Sequence, residues 1–140
     1  MLTMDKKELT IVNDIARLRE LQAFVEEAAD AWELSMKVSM NINLVLEEII
    51  SNIIFYGYED DSVHEIRIDL MKADDEVKII ITDDAAIFDI LAAEDFAGNE
   101  KAAEDRKIGG LGIHFVKTLM DKVEYRRENE QNILSLIKKI

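Results

Sequence analysis

Three of the five glycines in this 140-residue chain, Gly109, Gly110 and Gly112, fall within four positions, directly ahead of the helical run Ile113, Val116, Leu119 and Met120. Glycine has no Cβ, so its backbone can approach a ligand closely. A helix start adds unpaired N–H groups and a positive dipole end, and the stretch reads as a phosphate cradle in a nucleotide binder. Glu48 and Asn52 stand four residues apart on an expected helix and share one face. Asn52 offers a neutral carbonyl oxygen of the hard kind Mg²⁺ takes, and Glu48 could orient or deprotonate a nucleophile. Taken alone, the same pair reads more readily as one capped by loop backbone at the edge of the core. Asp83 ends a strand on the face of Ile79 and Ile81, where it could accept a hydrogen bond from the exocyclic amine of a base, or begin a turn with Asp84. Arg106 and Lys107, the adjacent basic pair just before the glycines, suit either a phosphate or solvent.

These residues need a scaffold, and the apolar periodicity supplies one. Leu9, Ile11 and Val12 suggest a first strand. Ile15, Leu18, Leu21, Phe24, Val25 and Ala28 then recur at helical spacing, with Asn13 or Asp14 as N-cap. A second helix is predicted from about Met36 to Tyr56. Ile66, Ile68 and Leu70 alternate with polar residues, and after Ala73-Asp74-Asp75 the run Val77, Ile79, Ile81 forms the second arm of an antiparallel hairpin. Apolar periodicity thins from Asp89 to Ile108, the mark of a functional lid or mobile loop. Beyond the glycines the pattern predicts a helix to about Asp121, a strand at 123–126, a turn at Asn129 and a last strand at 133–137. The order implies an α+β fold: a two-layer sandwich with helices on one face of a mostly antiparallel mixed sheet.

Composition narrows the function classes. A formal net charge of −13 argues against general nucleic-acid binding, which needs Lys and Arg to neutralise phosphates. Cysteine is absent, which excludes thiol nucleophiles, disulfides and cysteine zinc sites and fits a reducing, cytoplasmic setting. The N-terminus lacks the apolar run of a signal peptide, and no stretch approaches the length of a membrane span. His64 and His114 lack metal-ligand spacing and read as surface or packing residues. The glycines fit neither a dinucleotide fingerprint nor a Gly-Lys-Ser/Thr phosphate loop.

Taken in order, Leu46-Glu47-Glu48-Ile49-Ile50-Ser51-Asn52, Ile81-Thr82-Asp83-Asp84 with Phe88-Asp89, Gly109-Gly110-Leu111-Gly112-Ile113, Leu119-Met120-Asp121-Lys122-Val123-Glu124-Tyr125 and the tail Asn132-Ile133-Leu134-Ser135-Leu136 carry a resemblance. The chain resembles the ATP-binding domain, or Bergerat fold, of gyrase-type ATPases, sensor histidine kinases and mismatch-repair ATPases. More narrowly, it is similar to the anti-sigma-factor serine kinases of bacterial partner-switching systems. That resemblance implies a single domain over residues 1–140 with an ATP lid at about 89–108. It implies Asn52 as Mg²⁺ ligand, Glu48 as general base toward a substrate serine and Asp83 as acceptor of the adenine amine. It also implies Gly109, Gly110 and Gly112 at the phosphates and Arg106 and Lys107 in the lid. The implied partners are a sigma factor, an anti-sigma-factor antagonist and a second copy of the chain, with no nucleic acid and no membrane. The chain departs from the pattern at Ala85, where the family carries glycine. If that position needs positive φ or lies against the base, the methyl strains the turn or crowds the adenine pocket, which would leave a binding module without kinase activity.

Overall fold

A computed structural model describes residues 5–89 and 113–140, with only the backbone described at 113 and 114. Among the described residues, five strands, β1 (Asp5–Val12), β2 (Glu65–Lys72), β3 (Glu76–Asp83), β4 (Lys122–Glu128) and β5 (Gln131–Lys139), form one sheet in the order β1-β2-β3-β5-β4. The mostly antiparallel sheet expected from the pattern is antiparallel at each pairing among the described residues. Among the described residues, three helices, α1 (Leu18–Ala31), α2 (Met36–Tyr56) and α3 (Ile113–Leu119), accompany the sheet in an α+β fold.

Strand alternation decides which side chains meet the helices. Ile66, Ile68 and Leu70 from β2, Val77, Ile79 and Ile81 from β3, and Leu134 and Leu136 from β5 are buried in one core. The helices fill that core with Leu21, Phe24, Val25 and Ala28 from α1, Ile42, Val45, Leu46, Ile49 and Ile50 from α2, and Val116 from α3. Asp83 and Asn132 lie on the same inward-facing rows, at the end of β3 and the start of β5, and are buried with them. Two polar side chains are thereby committed to the edge of an apolar core.

Local signals explain the element boundaries. Asp14 caps a short 3₁₀ turn (Ile15–Arg17) by accepting from the Ala16 N–H at 3.0 Å, so the α-helix proper begins only at Leu18. Ser35 caps α2 by accepting from the Val38 N–H at 3.1 Å, and the helix ends at Gly57. At 21 residues α2 is long and apolar enough, by length and composition, to cross a membrane. This differs from the expectation that no stretch approaches that length, because Lys37, Glu47, Glu48 and several amides interrupt the apolar run in the sequence. In the fold its apolar face instead packs into the core. Asn129 and Glu130, both at positive φ (52° and 63°), make the two-residue turn that sets Glu128 opposite Gln131 and fixes the register of β4 on β5.

Candidate functional site

The site is built where the C-terminal end of α2 meets the end of β3. Antiparallel register puts Asn132 directly opposite Asp83. The Asn132 Nδ2–H₂ group donates to Asp83 Oδ1 and to the Ala86 carbonyl, each at 2.9 Å. The Ala85 N–H donates to the same Asp83 oxygen at 2.9 Å. Among the described residues both donors to Asp83 fall on Oδ1. The other end of Asn132 is held as firmly: its Oδ1 accepts from the Tyr125 hydroxyl and from Arg127 at 3.2 Å, and Arg127 also donates to the Ala85 carbonyl at 2.8 Å. Burial pushes the Asp83 carboxyl above the usual carboxylate range; the Asn132 and Ala85 hydrogen bonds oppose that, and the Asp84 charge adds to it. A buried carboxylate with fixed geometry and a preference for a donor partner results.

Beside it, Tyr58 keeps its hydroxyl buried with no hydrogen-bond partner among the described residues. Burial, then the charges of Asp83 and Asp84, raise its pKa well above the ordinary phenol value, so it stays protonated. Tyr58 stacks on the His64 ring at 4.1 Å between centroids. A buried, protonated O–H therefore stands next to two carboxylates.

The turn after Asp83 is bonded to the end of α2, because the Ala86 N–H donates to the Gly57 carbonyl at 2.9 Å. Asn52 lies five residues before Gly57, about 7.5 Å back along the helix axis, and Glu48 one further turn away. The Asn52 Nδ2–H₂ group donates to the Glu48 backbone carbonyl at 2.8 Å, which fixes the amide plane. Ser51 donates to the same carbonyl at 3.1 Å. Glu48 and Asn52 are both half-buried. The fold therefore brings one end of the Glu48–Asn52 helix to the Asp83 turn. α3, which follows the glycine cluster, also packs on α2. Gly109, Gly110, Gly112, Arg106 and Lys107, with lid residues 90–108, lie outside the described residues.

Ala85 does not strain the turn. Its φ is not positive, and it is 4% exposed with its methyl turned onto Gly57. A Cβ built on Gly57 would lie 2.7 Å from the Ala85 Cβ. The close approach that calls for a glycine is real, but here the helix end supplies the glycine and the turn supplies the methyl.

The sequence points to Asn132 and Tyr125 only as members of resembling stretches, with no role at the site, and not at all to Arg127 and Tyr58. Asn132 had a readable signal: it is the polar member of the inward row Asn132, Leu134, Leu136. The other three depend on register and loop course, which no local pattern carries. His64, expected on the surface or in packing, stacks on Tyr58 and is also held between Asp60 and Asp84.

Residues 11–138 match the histidine kinase-like ATPase domain family, and the chain belongs to it. Within that family the narrower resemblance also holds. The chain is 30% identical over 92 residues to a serine-protein kinase RsbW of Halalkalibacterium halodurans, covering 64% of this chain and 56% of that protein. It is 28% identical over 124 residues to an anti-sigma F factor of Oceanobacillus iheyensis, covering 85% and 82% respectively. A serine-protein kinase RsbW of Listeria monocytogenes matches at 25% over 87 residues, 60% of this chain and 55% of that protein. The matched part of the chain thus spans little more than half the length of the two kinases.

Proposed function

We propose that the chain is a cytoplasmic, homodimeric anti-sigma regulator that binds Mg·ATP, phosphorylates a serine on a small antagonist protein and sequesters a sigma factor. The observation that carries the nucleotide half is the buried Asp83 carboxylate, whose two described donors act on Oδ1. Oδ2 then serves the exocyclic amine of adenine, and the protonated Tyr58 hydroxyl offers a donor beside it. The names of the relatives, serine-protein kinase and anti-sigma F factor, support the protein partners.

The residues fit the chemistry. Asn52 presents a fixed carbonyl oxygen suited to Mg²⁺, which when bound would offset phosphate charge. Glu48 takes the proton of the serine hydroxyl as its oxygen forms the bond to the γ-phosphorus and the bond to the leaving ADP oxygen breaks. Gly109, Gly110 and Gly112 line the phosphates, while Arg106 and Lys107 belong to the lid of about 89–108 within a single domain. The second reading, a binding module without nucleotide chemistry, draws on Ala85; the placement of that methyl against Gly57 favours the kinase reading.

Calorimetric titration with Mg·ATP tests the proposal. Binding is expected in the wild type and lost in Asn52→Ala, whereas Glu48→Ala should bind ATP but fail to transfer phosphate. No heat of binding at millimolar nucleotide in the wild type would sink the kinase reading.

A further inference from the structure

His64 links three parts of the chain at the adenine side of the site. It directly precedes β2, while Asp84 directly follows β3 and Asp60 lies in the loop after α2. Its Nδ1 is 3.0 Å from Asp84 Oδ2, and its Nε2 is 2.9 Å from both Asp60 Oδ1 and Ser62 Oγ. Its backbone is pinned independently: the His64 N–H donates to Asn13 Oδ1 at 2.9 Å, and its carbonyl accepts from the Asn13 N–H at 3.0 Å. The Tyr58 ring stacks beneath it with an interplanar angle of 12°. Backbone and ring plane are thus fixed, and what can change is the ring's charge.

A neutral imidazole has one N–H and one lone pair, so it cannot donate to two carboxylates at once. The ring nitrogen that loses its proton turns a lone pair toward a carboxylate oxygen, and one of Asp60 and Asp84 must move off. Released, Asp84 is an unneutralised negative charge next in sequence to Asp83 and near the Tyr58 hydroxyl. Hydrogen bonds to Asp60 and then to Asp84 hold the His64 pKa above its ordinary 6.5, so the ring keeps its charge to higher pH than a free imidazole would. The groups facing the ring are Asp60, Asp84, Ser62 and Tyr58, with Asp83 reached through Tyr58.

We infer that His64 is a positioning residue for the nucleotide: its imidazolium clamps Asp84 beside Asp83, and release of the clamp weakens Mg·ATP binding as pH rises. The inference rests on the reading of Asp83 as the adenine acceptor. Because the pair is partly exposed, the effect is modest, roughly two- to fivefold in affinity.

The test uses the full chain, with Mg·ATP as ligand, from about pH 6 to about pH 9. Calorimetry compares wild type, His64→Gln and His64→Arg, so that protonation of ATP itself cancels in the ratio. Wild type should bind roughly two- to fivefold more tightly than His64→Gln at the acid end and converge with it at the alkaline end. His64→Arg, which cannot lose its charge, should hold its affinity throughout. Nucleotide-free NMR on the wild type should show His64 titrating above the ordinary value, with the Tyr58 ring signals moving at the same midpoint. A ratio independent of pH, with ATP bound by all three proteins, would overturn the coupling alone. A His64 midpoint at or below the ordinary value would overturn the clamp. Absence of Mg·ATP binding in every protein would overturn the nucleotide reading and the coupling with it, while the NMR midpoint would still report on the clamp.

Discussion

Exchanging the methyl between Gly57 and Ala85 should reveal how the Asp83 turn is seated on α2. Gly57 has φ −83° and ψ −24°, a conformation any residue adopts, so Gly57→Ala carries no backbone strain and gains about 0.4–1 kcal/mol from the unfolded state. Against that, the new Cβ would stand 2.7 Å from the Ala85 Cβ and 2.6 Å from the Ile53 carbonyl oxygen, both well inside contact distance. Overpacking of this kind costs about 1–3 kcal/mol, so the net loss should be about 1–2 kcal/mol. Ala85→Gly alone removes a methyl from a site 4% exposed and should cost about 1–2 kcal/mol, from about 0.8 kcal/mol of lost burial plus the added freedom of glycine. In the double variant the Cβ–Cβ clash disappears. The two losses should therefore not add, and the double variant should recover about 1 kcal/mol of their sum. Urea denaturation of the four proteins, read as a double-mutant cycle, measures this. Additivity within about 0.5 kcal/mol would show that the two positions do not touch and refute the seating described here.

Two further substitutions probe the same end of the molecule. Asn132→Ala removes a donor to a buried carboxylate and should destabilise by about 2–3 kcal/mol at pH 8. Because the loss raises the Asp83 pKa further, the folded state binds that proton more tightly than the unfolded chain. Stability is then regained as pH falls toward the ordinary Asp value of 3.8, and the deficit should be smaller at pH 5; an equal deficit at both pH values would mean that Asn132 does not act on the Asp83 charge. Glu130→Gly should stabilise by about 1 kcal/mol, since φ 63° penalises an L side chain; an unchanged melting temperature would contradict the assigned turn.

Much of the fold is legible locally. The apolar rows of α2 and the alternation in β2 and β3 state their own element type, and α2 runs from Met36 to Tyr56 as its periodicity predicts. The ends of α1 are less so. Asp14 caps a 3₁₀ turn, and a capping residue alone does not say which kind of helix follows. For the site, a shared helical face relates Glu48 to Asn52, and strand phase puts Asp83 on the inward row. Composition and motif order then point to a nucleotide and to a family, because residue types limit which ligands can be held.

The environment of those residues is another matter. Asn132 opposite Asp83, Arg127 on the Ala85 carbonyl and His64 on Asp84 all join residues far apart in the chain, and sequence spacing carries no distance information over such separations. Ala85 shows the difference most plainly. Its substitution for glycine is visible in the sequence and suggests a strained or crowded site. Whether a methyl is tolerated depends on the atom facing it, and that atom belongs to Gly57, 28 residues earlier. Residue types and their local patterning state which chemical groups are present and which secondary elements carry them. Packing alone decided which of those groups touch, because contact is a property of register and of the space left between elements.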